Sequence, residues 1–144
     1  MAEVHGVDLS AIQAVWVPPN VKFRVDDVES TWPSTIYDLI HIRHVMPVMR
    51  NVPGLLASTW EHLEPGGWLE VQEFGGELLC DDGTVPADSA LMQVFEWIAI
   101  AISKFGISFR VTNHVADMCE DMGFEEISVN VIKTPVGMWP PAEV

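Results

Sequence analysis

Arg43, His44 and Glu73 are the residues of this chain best suited to acid–base chemistry. Histidine titrates near neutral pH, a nearby carboxylate can hold its ring, and arginine stays charged to bind a developing enolate or carbonyl oxygen. A second set is acidic. Asp8, Asp26 and Asp27 each follow a short apolar stretch, where a carboxylate can accept hydrogen bonds from ribose hydroxyls or an adenine amine. Taken singly, each acid reads equally well as a solvated turn residue or a helix cap. Arg43 and His44 read in the same plain way as surface ion pairs with Asp8 or Glu73. Joint placement at strand ends is what favours a site. His41, Glu70 and Gln72 lie inside strand-like stretches, so burial would require each to have a partner, and they read as a structural network. The histidines His5, His41, His44, His62 and His114 show no metal-ligand spacing beyond His41-x-x-His44, which a strand puts on opposite faces, so no metal is expected. The chain has no G-x-G-x-x-G, Walker loop, G-x-S-x-G or H-E-x-x-H, which removes the common dinucleotide, nucleotide, hydrolase and zincin readings.

Such a site needs elements that bring strand ends together. Residues 3–7 read as a strand running into a turn that Ser10 could cap, and Trp16-Val17-Pro18-Pro19-Asn20 must be extended because a residue before proline avoids the helical region. A strand at 21–25, an acidic loop at 26–30 and a strand at 37–43 follow. Leu55, Leu56, Thr59, Trp60 and Leu63 recur at helical spacing from Pro53 and stop at Glu64-Pro65-Gly66-Gly67, a helix-to-strand turn. Residues 68–74 read as a strand. Residues 86–105 read as the longest helix, with Pro86 and Asp88 in its first turn. Its stripe of Leu91, Val94, Phe95, Ile98, Ile102 and Phe105, with Trp97 beside it, is expected to face a core, or else to line an apolar pocket. A helix at 113–122 ending at Gly123 and a strand at 126–134 complete the order β β β α β α α β. That order implies an α/β fold with a mostly parallel sheet, whose ligands bind outside the carboxyl ends of its strands.

The 144 residues suit one core, and 49% of them are hydrophobic. Mean hydropathy is +0.22. The net charge of −14 would repel phosphate backbones and anionic membrane surfaces, so neither nucleic acid nor membrane is expected as a partner. No apolar run reaches the roughly 20 residues of a membrane span, and Met1-Ala2-Glu3-Val4-His5 carries an acid where a secretion signal carries a base. A cytoplasmic protein with Cys80 and Cys119 as free thiols is the expectation.

In order, Gly6-Val7-Asp8-Leu9-Ser10, Trp16-Val17-Pro18-Pro19-Asn20-Val21-Lys22-Phe23, Val25-Asp26-Asp27-Val28, Tyr37-Asp38-Leu39-Ile40-His41-Ile42-Arg43, Leu63-Glu64-Pro65-Gly66-Gly67-Trp68-Leu69-Glu70-Val71-Gln72-Glu73 and Asp81-Asp82-Gly83-Thr84 resemble the fungal LaeA-like class I methyltransferases of secondary metabolism. The resemblance covers nearly the whole chain and implies one methyltransferase-like domain over 1–144 with a Rossmann-like fold. By it, Asp8 would hold the ribose of S-adenosylmethionine, with Asp26 or Asp27 near the adenine. Full members carry a strand, a glycine-rich loop and a helix before the strand ending at Asp8, whereas seven residues precede Asp8 here. The fold is therefore expected to lack its usual first, central strand, and cofactor use is not expected of this chain alone.

Three functions follow from the resemblance. The preferred one is cofactor-free cyclisation, isomerisation or a pericyclic step on an apolar natural product, with His44 and Glu73 as acid–base groups and Arg43 stabilising an oxyanion. The others are an S-adenosylmethionine-dependent methyltransferase completed by another chain, and a non-catalytic interaction module. Loss of a central strand must be repaired, because open edges are costly and adhesive. Either the strand ending at Asp8 pairs with the one ending at Arg43, or two chains associate, and a homodimer is expected.

Overall fold

A computed structural model describes residues 2–136. Four strands form in chain order: β1 (Val4–Asp8), β2 (Val21–Val25), β3 (Tyr37–Arg43) and β4 (Leu63–Gln72). Three α-helices join them: α1 (Val52–Glu61), α2 (Ala90–Ser103) and α3 (Val115–Met122), with 3-10 turns at Met46–Val48 and Val111–His114. Parallel pairing is general but splits into two sheets of two strands. In one, β1 runs beside β2 with Asp8 opposite Val25; in the other, β3 runs beside β4 with Arg43 opposite Gln72. Among the described residues β1 and β3 share no ladder, so direct pairing of the strands ending at Asp8 and Arg43 does not occur within the chain. They meet through side chains: His5 Nδ1 lies 3.2 Å from the Tyr37 hydroxyl. Gly6 lets the Phe23 ring lie across β1, since a Cβ there would fall 2.3 Å from the ring. Exposed Glu3 reinforces the same pair; hydrogen bonds from Lys22 and His5 hold its carboxyl down at about 2.

The β3–α1–β4 crossover carries the core. Ile40 and Ile42 alternate inward along β3. α1 starts at Asn51, whose side chain accepts the Gly54 N–H at 3.0 Å, and Pro53 sits where a helix needs no amide donor. Its inward face buries Val52, Leu55, Leu56 and Thr59, and the three apolar residues share a core with Met46, Met49, Val111, Val115 and Cys119. Glu29 ties the acidic loop to this helix, accepting the N–H groups of Arg50 and Asn51 at 2.9 and 2.7 Å.

Several elements depart from the sequence expectation. β4 begins at Leu63 rather than 68 and ends at Gln72, because the Leu63–Gly67 stretch pairs with the start of β3 through a register shift between Tyr37 and Leu39. α2 begins at Ala90 and ends at Ser103; Ser89 caps it, accepting the Met92 N–H, so Pro86 and Asp88 lie outside the helix. No residue of α2 is buried, and Trp97 is 62% exposed, so its stripe does not face the core. Residues 126–134 form no strand. Ser10 caps no helical turn; its amide donates to Asp8 Oδ1 at 2.8 Å. His41, Glu70 and Gln72 are exposed, because one face of the β3–β4 pair is open; His41 Nδ1 sits 2.8 Å from Glu70 Oε2 in that open face.

Candidate functional site

At the carboxyl ends of β3 and β4 the parallel register sets His44 beside Glu73. The Glu73 side chain is only 4% exposed. Its Oε1 accepts the N–H groups of Val45 and Met46 at 2.7 and 2.9 Å, donors left free where the chain turns into the Met46–Val48 segment. This grip fixes the carboxylate and leaves Oε2 buried with no hydrogen-bond partner among the described residues. The nearest cationic candidate is His44, whose Nδ1 lies 4.0 Å from that oxygen: a charge pair, beyond hydrogen-bond length.

Local backbone places the imidazole. His44 adopts the left-handed region with φ of 54°, an unfavourable state for a residue with a side chain, and its amide donates to Gln72 at 3.1 Å. Its ring stacks on Phe74, with centroids 4.7 Å apart and planes 15° from parallel. Thr112 secures Phe74 in turn by donating its hydroxyl to the Phe74 carbonyl at 2.9 Å, and Thr112 is held by its neighbour Val111 in the core. Phe74, read from the sequence as the end of a strand, and Thr112 were not among the candidate site residues. Phe74 follows Glu73 directly, so its position was available; the reach of Thr112 across 38 residues has no local signal.

Arg43 does not join the pair; among the described residues it makes no ion pair or side-chain hydrogen bond. Asp8 and Asp26 come together, the Asp26 amide donating to the Asp8 carbonyl at 3.0 Å. Their carboxylates mostly serve their own loops. Asp8 Oδ1 takes the Ser10 amide, Asp26 binds the Asp27 amide and Arg24 at 2.9 and 3.0 Å, and Asp27 takes the Glu29 amide at 2.9 Å.

Neither of two open grooves among the described residues contains the His44–Glu73 pair. One of about 240 Å³ lies between Gly76–Leu78, α2 and Arg110, and one of about 330 Å³ between the Val28–Trp32 loop and α1. Burial pushes the Cys119 thiol above its ordinary range, which suits packing rather than nucleophilic attack. The Thr84 amide, the Cys80 thiol and the Thr84 hydroxyl hold the exposed Asp82 carboxyl down, making 81–84 a tight turn. Among the described residues no three His, Cys, Asp or Glu side chains are grouped to hold a metal, and no helix is long and apolar enough to cross a membrane.

Comparison with known proteins gives this geometry a family. A methyltransferase domain family matches residues 1–129. Methyltransferase pytC of Aspergillus terreus is 38% identical over 138 residues, covering 95% of this chain and 43% of that protein. A secondary metabolism regulator of Cochliobolus heterostrophus is 37% identical over 143 residues, covering 96% and 47%. Methyltransferase cpsF of Aspergillus campestris is 31% identical over 124 residues, covering 84% and 44%. The chain spans less than half the length of these curated relatives. With parallel strand pairs around a β–α–β crossover and a family match over nine-tenths of its length, the chain belongs to the methyltransferase domain family, among its LaeA-like fungal members.

Proposed function

We propose that this chain contributes a proton-transfer site to methyltransferase-type chemistry on an apolar small molecule of fungal secondary metabolism, in a site that further polypeptide encloses. The observation that carries this reading is Glu73: a carboxylate buried, clamped by two amides, and left with one oxygen unpaired 4.0 Å from an exposed imidazole. An unpaired buried carboxylate oxygen is costly, and such costs concentrate where charge must form during a reaction. His44 takes a proton from a hydroxyl or an acidic carbon of the substrate, and Glu73 stabilises the imidazolium that results. Phe74 keeps the ring in place. Arg43, at the end of β3 and without an ion pair among the described residues, is available to a developing oxyanion.

S-adenosylmethionine fits this chain in part. Asp8 keeps one carboxylate oxygen outside its turn, as does Asp27, and these suit the hydroxyls and amine of a nucleoside; Asp26 has both oxygens engaged. Bound there, the cofactor would supply a methyl group to the deprotonated acceptor. A second reading is supported by the same engagement of the acids: cofactor-free isomerisation or cyclisation driven by His44 and Glu73 alone.

Hydrogen–deuterium exchange at the methyl group of an aryl methyl ketone in D2O, followed by NMR, tests the shared proton-transfer step. Exchange above the buffer rate that falls about a hundredfold in His44→Ala and in Glu73→Gln is expected. Exchange equal to buffer, or unchanged in both folded variants, overturns the reading. Adding S-adenosylmethionine and assaying S-adenosylhomocysteine separates methyl transfer from the cofactor-free alternative.

A further inference from the structure

Met92, Phe95, Ala99 and Ile102 are the half-buried residues of α2. Their spacing of three and four keeps them on one side of the helix, so α2 has a covered side although none of its residues is fully buried. Across a groove from that side runs the segment leaving β4. Gly76, at φ of 67°, carries this segment against the Phe109 backbone, where a Cβ would fall 2.2 Å from the Phe109 carbonyl oxygen. The Phe109 ring lies 6.4 Å from that of Phe95, centroid to centroid. Leu78, Met92 and Phe95 give the groove an apolar lining, and its volume is about 240 Å³. Small-ligand sites begin near about 300 Å³, so this space suits a body of roughly one or two fused rings.

Charge sets the class of ligand. Arg110 ties the two walls together, its Nε 3.5 Å from Glu77 Oε1 on one and its Nη2 2.9 Å from Glu96 Oε2 on the other. Two carboxylates around one guanidinium leave the groove with an excess negative charge, which disfavours an anion. The Nη1 donors have no partner among the described residues. A neutral hydroxyl can accept from Nη1 and donate to a flanking carboxylate, using both kinds of group.

Position ties the groove to His44. Phe74, whose ring stacks on His44, and Gly76, which lines the groove, are two residues apart, at most about 7 Å along the chain. One stretch of chain backs both places: Phe109 lies behind Gly76, and Thr112 holds the Phe74 carbonyl.

We propose that this groove seats the body of the substrate whose proton His44 takes, a neutral hydroxyaromatic ketone of one or two fused rings. This rests on the proton-transfer reading of His44 and Glu73. The ring lies against Met92 and Phe95, its hydroxyl meets Arg110 and the flanking acids, and the ketone projects past Phe74 toward the imidazole.

Titration of the full chain with an acetylnaphthol, its hydroxyl on the ring remote from the acetyl group, tests this through the NMR signal of the Met92 methyl group. A saturable shift is expected, and the acetylnaphthoate with a carboxylate in place of the hydroxyl should bind about fivefold more weakly. Glu77→Gln combined with Glu96→Gln removes both acids and should reverse that order. Phe95→Ala, at a position that is not fully buried, should keep the circular dichroism and weaken binding about tenfold. No shift at Met92, or tighter binding of the carboxylate to the unaltered chain, overturns the proposal. Deuterium exchange at the acetyl group separates it from the reading on which it rests. Exchange that needs His44 but whose half-saturating ketone concentration is the same in Phe95→Ala overturns the groove alone. A Met92 shift without exchange overturns the proton-transfer reading and leaves the groove standing as a binding site.

Discussion

Glu73 combines two duties that substitution can separate. Removing its carboxylate leaves the Val45 and Met46 amides without acceptors, and Met46 is fully buried. Each orphaned buried amide costs about 1–3 kcal/mol, so Glu73→Ala is expected to lower unfolding free energy by roughly 2–4 kcal/mol in urea titration. Glu73→Gln retains a carbonyl acceptor and should lose less than about 1 kcal/mol while losing the charge beside His44. Equal loss in both variants would mean that the charge itself, not the amide clamp, stabilises the turn. His44 and Glu73 were legible in sequence because each directly follows a strand, and parallel pairing makes such positions neighbours. The turn duties of Asp8, Asp26 and Asp27 were not separable from ligand duties, since an acid after a strand serves either with the same residue type.

At the level of elements, what the sequence showed depended on whether a segment's partner is local. β2, β3 and α1 have their own signals: short stretches rich in Val, Ile, Phe and Tyr for the strands, and Asn51, Pro53 and apolar spacing for the helix. α2 has an equally strong apolar pattern but none of its residues is buried, and residues 126–134 have alternation but pair with no strand among the described residues. Periodicity reports that a face should be covered; it does not say by what. The contrast is measurable. Leu56→Ala, at a fully buried α1 position, should cost about 2–5 kcal/mol, whereas Ile98→Ala on α2, at 40% exposure, should cost less than about 1 kcal/mol in this chain. Comparable losses at both sites would show that α2 is packed in solution.

At the scale of the molecule, every buried residue among the described ones lies between positions 40 and 119, and β1 and β2 contribute none of them. This uneven placement of the core sets an order of opening. The β1–β2 pair can separate without exposing Leu56 or Met46, so its amides are expected to exchange with solvent through a low-energy local event. Amides of β3, β4 and α1 can exchange only when the core itself is lost. Native-state hydrogen exchange in dilute protein should resolve two tiers, with the free energies at Val4–Asp8 and Val21–Val25 falling well below those at Ile40, Ile42 and Leu55. A single shared value would mean that the two sheets open as one cooperative unit. With two tiers, folding would begin in the contiguous β3–α1–β4 crossover, whose contacts span short stretches of chain, and the amino-terminal pair would join last.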